Sequence, residues 1–289
     1  MSEIKLIASR CPINKVKKLG QGGYGVVYKV NINNEEYALK RNIIDTVISH
    51  SGSLRELDTM LRLYGHPYIV KIKSIIHCQN FLNGVFSPVD RKQLKDDELH
   101  FVTELAAYDG TNLVRKNESY STRYIKMAML QILLGVEYMH AKGITHRDLK
   151  MSNMLWYRYP QNGKVIKIGD FGLSKPLCYI DKNTPRVVTC WYRAPEIIMR
   201  QQDYHEKSDI WSLGCMFYEM IKGTPLLHSC EDKNDDLMRR ILTLLPCKRS
   251  KGFLQMLSNS NLKIEQHLLE DRKHTWPDCF NVSSSRMQE

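Results

Sequence analysis

Ile144–Leu155, I-T-H-R-D-L-K-M-S-N-M-L, followed fifteen residues later by Asp170-Phe171-Gly172, is the stretch whose reading decides the fold. It offers one carboxylate, Asp148, that can accept a proton, then a lysine two residues on, Lys150, and an asparagine three beyond that, Asn153. A second carboxylate, Asp170, sits in a turn built around glycine. Moving a phosphoryl group needs little covalent help; it needs positioned oxygens, metal ions and compensating cations. His-Arg-Asp, then Lys and Asn, then Asp-Phe-Gly is a multi-part signature that chance rarely produces in order.

Upstream, Lys15–Val30 reads K-V-K-K-L-G-Q-G-G-Y-G-V-V-Y-K-V, two apolar strands joined by a glycine-rich turn. Gly20, Gly22 and Gly25 fit G-x-G-x-x-G. Glycine lets backbone amides approach a phosphate closely, because no Cβ intervenes. A dinucleotide-binding turn shares this spacing but wants a helix after the glycines, whereas Val26–Val30 reads as a strand. Tyr37-Ala38-Leu39-Lys40 is a second short strand, ending in lysine. Leu54-Arg55-Glu56-Leu57, continued by Met60, Leu61 and Leu63, has a helical period and brings an acidic partner for that lysine.

With these parts in this order, from about Lys15 to about Leu245, the chain resembles the protein kinase family. The resemblance implies an α+β, two-lobed fold with ATP between the lobes. Residues 1–104 would form a small antiparallel β lobe with one helix, 105–280 a mainly helical catalytic and substrate lobe, and 281–289 a disordered tail. It gives Lys40 the α- and β-phosphates and Glu56 as its partner. Leu19, Val27, Ala38 and Leu155 would enclose the adenine, Thr103 would guard the rear of that pocket, and Glu104-Leu105-Ala106 would be the hinge. Asp109 would meet the ribose. Asp148 would be the general base, Lys150 would neutralise charge on the transferred phosphate, and Asn153 and Asp170 would hold Mg2+. H-R-D-x-K-x-x-N, with Thr189 seven residues before Glu196, implies hydroxyl acceptors on serine or threonine. Protein substrates are the implied partners.

Trp191-Tyr192-Arg193-Ala194-Pro195-Glu196 and Ser208-Asp209-Ile210-Trp211-Ser212-Leu213-Gly214-Cys215 are similar to the group of cyclin-dependent and mitogen-activated kinases. Asp209 is expected to bind the catalytic-loop backbone. Thr184 occupies the place of an activating phosphate, with Arg55, Arg147 and Lys175 as the matching cations, which implies an activating kinase or a regulatory subunit. Val187, Val188 and Arg193 match a platform that accepts proline after the target residue. The stretch before Arg55 reads H-S-G-S-L where the cyclin-contacting relatives carry P-S-T-A-I, so cyclin dependence does not carry over. Tyr24 matches an inhibitory tyrosine, but its usual threonine neighbour is Gly23.

The remainder is less specific. Residues 77–100 are polar and aperiodic, an enlarged connection between two strands. Tyr120–Ala141 reads as one long helix with a core stripe of Ile125, Met129, Ile132, Leu133, Val136 and Met139. After Leu245 the match fades, and no arginine can be assigned to pair with Glu196. The eight cysteines are scattered singly without a C-x-x-C pair, and neither a signal peptide nor an apolar run approaching about 18 residues occurs. These features imply a reducing intracellular setting, cytoplasmic or nuclear, and no membrane span. The net charge of +11 permits acidic partners, but no nucleic-acid-binding motif accompanies it. The rival reading is a pseudokinase scaffold that binds partners without chemistry; its usual mark is loss of Lys40, Asp148 or Asp170, all of which are present.

Overall fold

The computed structural model describes residues 13–22, 25–42, 47–77, 99–112, 120–161, 163–176, 190–201, 205–228, 234–244 and 250–269. Two compact units are resolved. Met1–Tyr108, Leu134–Ile144 and Leu155–Lys175 form the first; Asp109–Leu133, Thr145–Met154 and Pro176–Glu289 form the second.

The first unit is built on a five-stranded antiparallel sheet of β1 (Ile13–Gly22), β2 (Gly25–Ile32), β3 (Glu35–Asn42), β4 (Ile72–His77) and β5 (Leu99–Glu104), in the order β1-β2-β3-β5-β4. Asn33 and Asn34, both at positive φ, make the two-residue turn between β2 and β3 that the twist of a hairpin requires. Alternation along β2 buries Val26, Tyr28, Val30 and Ile32 with Leu39 and Val102, on the face that Tyr37 covers. The opposite face carries Val27, directly across from Lys40, and Ala38, directly across from Thr103. Asn42, at the end of β3, is 2% exposed, and among the described residues neither end of its carboxamide has a hydrogen-bond partner.

Helix α1 (Val47–Arg62) follows β3. Its apolar period does not decide which side faces in: Leu54 and Leu61 are exposed, whereas Ser53, Glu56 and Thr59 are buried with Met60. Glu56 turns inward to an ammonium partner, and residues three apart on a helix must follow it. Later segments complete the unit. A hairpin of β8 (Met154–Tyr159) and β9 (Gly163–Ile168) comes after two two-residue strands, β6 (Tyr108–Asp109) and β7 (Ile144–Thr145). Ile168 donates to the Tyr68 carbonyl and accepts from the Val70 N–H, both at 2.9 Å. Against this joint packs Gly135, where a Cβ would lie 2.8 Å from Ile168 Cδ1 and 3.1 Å from the Tyr68 oxygen.

Gly135 belongs to helix α2 (Thr122–Ala141), which starts two residues later than the sequence pattern suggests, with the Ser121 hydroxyl accepting from the Tyr124 N–H. Ile125, Met129, Ile132, Val136 and Met139 are buried as expected, but Leu133 is 45% exposed. One step of about 100° past Ile132 carries it off the stripe. In the second unit, α3 (Pro195–Ile198), α4 (Lys207–Lys222), α5 (Asn234–Leu244) and α6 (Lys251–Ser258) continue the chain. Gly223 at positive φ ends α4, and the Ser250 side chain caps α6.

Buried hydrogen bonds stitch the Trp191–Glu196 stretch to α4. The Tyr192 hydroxyl donates to Glu219 Oε2 at 2.5 Å, and the Ser212 hydroxyl donates to the Tyr192 carbonyl at 2.8 Å. Burial pushes the Glu219 carboxyl above the usual glutamate range, and the bond from Tyr192 offsets only part of that. A carboxyl raised on folding favours its protonated form in the folded state, so stability falls as pH rises through the raised value. Glu219→Gln keeps an acceptor for Tyr192 and removes the buried charge. The variant is expected to match the parent in acid and to melt about 2–4 °C higher near neutrality, read from thermal melts across that range.

Candidate active site

The first unit assembles three charged groups from three distant segments. Lys40 Nζ lies 2.6 Å from Glu56 Oε1 and 2.7 Å from Asp170 Oδ1. The Glu56 side chain is buried, that of Asp170 is 40% exposed. Burial pushes the Lys40 amine down, but the Glu56 and Asp170 carboxylates outweigh it and hold the group well above its ordinary value, as an ammonium. The pairing with Glu56 follows the sequence reading; the contact with Asp170, 130 residues away, does not. Asp170 has φ +58, a left-handed conformation that costs a non-glycine residue about 1–2 kcal/mol. It is flanked by the buried Phe171 and by Gly169, where a Cβ would come within 3.1 Å of both Leu155 Cδ1 and Val70 Cγ2.

On the sheet, Val27, Lys40, Ala38 and Thr103 share one face, as the register above requires. The glycines differ in why they are needed. A Cβ at Gly25 would meet the Arg41 carbonyl oxygen at 2.3 Å, whereas one at Gly20 would meet nothing within 4 Å. Gly25 is therefore fixed by strand packing, and the Cβ position of Gly20 faces open space. Leu19 is 48% exposed and Leu155 half-buried. The Glu104 side chain is fully engaged, and the stretch after it is held by the Ala107 N–H donating to the Trp156 carbonyl at 2.8 Å. Ala106 is half-buried.

The second unit holds the His146–Asn153 loop. Asp209, 1% exposed on α4, accepts from the His146 N–H at 2.9 Å and from the Arg147 N–H at 2.8 Å. Arg147 has φ +72, so this carboxylate clamps the loop at its least favourable backbone position. Beyond the clamp, the buried Asp148 receives Lys150 Nζ at 2.7 Å on Oδ2. Asn153 Nδ2 donates to the Asp148 carbonyl at 2.8 Å and to its Oδ2 at 3.3 Å. The loop thus gathers a carboxylate, an ammonium and an amide at one point. Asp109 already caps a turn, its Oδ1 accepting from the Thr111 N–H at 2.8 Å and from the Thr111 hydroxyl.

Among the described residues no three His, Cys, Asp or Glu side chains cluster to hold a metal by themselves. Asn153, whose amide nitrogen serves Asp148, and the partly exposed Asp170 offer hard oxygen donors. Such donors suit Mg2+, which keeps phosphate and water oxygens as its other ligands. Arg55 is exposed and Arg147 half-buried. Thr184, Thr189, Val187, Val188, Gly23, Tyr24, the 281–289 tail, most of the 77–100 connection and the Lys175 side chain lie outside the described residues. No ion pair reaches Glu196 among the described residues, and burial pushes its carboxyl above the usual range.

Replacing Asp209 with alanine removes both acceptors from a buried turn that is already in an unfavourable conformation. The expected loss is about 2–4 kcal/mol of stability, measured by denaturant unfolding.

Comparison with known proteins agrees with this geometry. The family described as protein kinase domain matches residues 13–284. Mitogen-activated protein kinase 3 of Arabidopsis thaliana is 34% identical over 242 residues, which is 81% of this chain and 60% of that relative. Mitogen-activated protein kinase 5 of Oryza sativa subsp. indica is 32% identical over 272 residues, 92% of this chain and 68% of that relative. The chain therefore spans about two thirds of the length of these relatives or less. With an antiparallel sheet joined by helix α1 in the first unit and helices dominating the second, it belongs to the protein kinase domain family and has the two-lobed fold of that family.

Proposed function

We propose that the chain is a serine/threonine protein kinase that transfers the γ-phosphoryl group of Mg-ATP to protein hydroxyls. One observation carries this reading: Lys40 is paired with Glu56, and Asp170 stands beside the same ammonium group. Protein kinases need that ion pair in place for chemistry. Bound Mg-ATP supplies the phosphoryl group and the charge that screens its oxygens. The chain's residues supply position. Lys40 holds the α- and β-phosphates; Asp170 and Asn153 hold the metal; Leu19, Val27, Ala38 and Leu155 enclose the base. The backbone of Glu104 and Ala106 reads its edge, with Thr103 behind and Asp109 at the ribose. The glycines at 20, 22 and 25 let the backbone come close to the phosphates.

Asp148 orients the acceptor hydroxyl and takes its proton. Lys150, already 2.7 Å from that carboxylate, balances the charge that develops on the transferred group. Asp209 keeps both in register through the loop backbone. Thr189 contributes to hydroxyl-acceptor choice, and Val187, Val188 and Arg193 favour proline after the target. Protein substrates and an upstream activating kinase are the partners, the latter acting on Thr184, whose phosphate would gather Arg55, Arg147 and Lys175. Among the described residues no helix is long and apolar enough to cross a membrane, and an intracellular location agrees with the scattered single cysteines.

Transfer of labelled phosphate from ATP to a Ser-Pro peptide tests the central claim. Asp148→Asn is expected to lower kcat by about 100-fold or more, and a Ser-Ala peptide to be the poorer substrate; equal transfer by the variant would defeat the assignment of the base. Thr184→Ala should lose about tenfold or more in activity after treatment with an activating kinase, and full retained activity would remove that residue from regulation.

A further inference from the structure

The hinge stretch is tied down from behind by a polar and aromatic cluster that no part of the proposed chemistry uses. Glu104, the last residue of β5, sends its side chain away from the sheet-face residues into this cluster. Its Oε1 accepts from Lys167 Nζ at 2.5 Å and from the Lys71 N–H at 3.1 Å. Its Oε2 accepts from the Tyr159 hydroxyl at 2.8 Å, and its backbone carbonyl accepts from the Tyr157 hydroxyl at 3.3 Å. The ammonium of Lys167 in turn lies 5.0 Å from the Tyr157 ring centre and 5.4 Å from that of Tyr159. Those two rings run nearly parallel, 12° apart in plane.

Three consequences follow from this arrangement. Four chain segments converge on one residue: the approach to β4, the end of β5, and strands β8 and β9. The ion pair is nearly dry, with side-chain exposures of 10% for Lys167 and 15% for Glu104, so its geometry is costly to change. Four hydrogen bonds reach Glu104 from the rear, three on its carboxylate and one on its backbone oxygen, which keeps a second lone pair; the bond from Tyr157 constrains how this peptide is rotated. A hinge that reads a base through its own backbone depends on that rotation.

We infer that the cluster of Glu104, Lys167, Tyr157 and Tyr159 is a positioning device that sets the hinge backbone for adenine and so determines which nucleotide base the protein prefers. The inference rests on the ATP-binding reading given above. Lys167 and Tyr159 are positioning residues: both bond to the Glu104 carboxylate and act through that residue. Loosening the cluster releases the hinge from one rotation, which blurs the distinction between donor and acceptor edges of the base. A weakening of the fold alone would lower affinity for every nucleotide alike and leave their ratio intact.

The test measures ATP and GTP as competitors of a fluorescent ATP analogue, with Mg2+, on the full chain. The parent should prefer ATP. Tyr159→Phe, which removes one hydroxyl, and Lys167→Met, which removes the cation, are each expected to cut the ATP-to-GTP preference about fivefold or more, the scale of one good hydrogen bond. Lys167→Arg, which keeps charge and ring contacts, should restore most of it. Should Lys167→Met prove unfolded by thermal melt, Tyr159→Phe decides alone. An unchanged ratio in folded Tyr159→Phe overturns the inference, whereas a parent protein that binds neither nucleotide overturns the ATP-binding reading beneath it.

Discussion

An ammonium group cannot leave water alone. Lys40 sits inside β3, which runs two residues past it, in a largely buried place, and the cost of drying its charge is met by two carboxylates at hydrogen-bond distance. This requirement ties β3 to α1 through Glu56 and to the Asp-Phe-Gly turn through Asp170. It also explains a helix whose inward side is polar: with Glu56 facing in, Ser53 and Thr59 come with it, and Leu54 and Leu61 are left outside. The charge therefore decides the rotation of a whole helix against the claim of its leucines.

A similar constraint orders the second unit. The His146–Asn153 loop needs one residue, Arg147, in a conformation that L-amino acids avoid, and the buried carboxylate of Asp209 makes it tolerable by accepting two successive backbone N–H groups. Asp148, Lys150 and Asn153 then meet beyond it. Local order at the site is borrowed from a helix sixty residues downstream.

Much of this is written locally in the sequence. Val26, Tyr28, Val30 and Ile32 alternate because β2 is covered on one side, and the Asn33-Asn34 pair marks its hairpin. His146 through Asn153 reads as a loop of defined chemistry because its members are close in the chain. What is not legible is pairing between distant segments. Nothing near Asp170 announces Lys40, and nothing near Glu104 announces Lys167 and Tyr159. Leu133 falls in the same class: apolar spacing names the helix, but only packing says where the stripe ends. The arginine sought for Glu196 is absent from its described surroundings, in keeping with the fading of the motif pattern after Leu245.

Gly135 is a spacer defined by missing atoms. A methyl here would lie 2.8 Å from Ile168 Cδ1 and 3.1 Å from the Tyr68 oxygen, so the Ile168 side chain must turn aside and the backbone contact must give by a few tenths of an ångström. Ile168 is followed by Gly169 and then Asp170. A wedge at position 135 would be felt two peptide units before the carboxylate that shares Lys40 with Glu56. The spacing between α2 and the strand that leads into Asp170 is set by a residue that has no functional group at all.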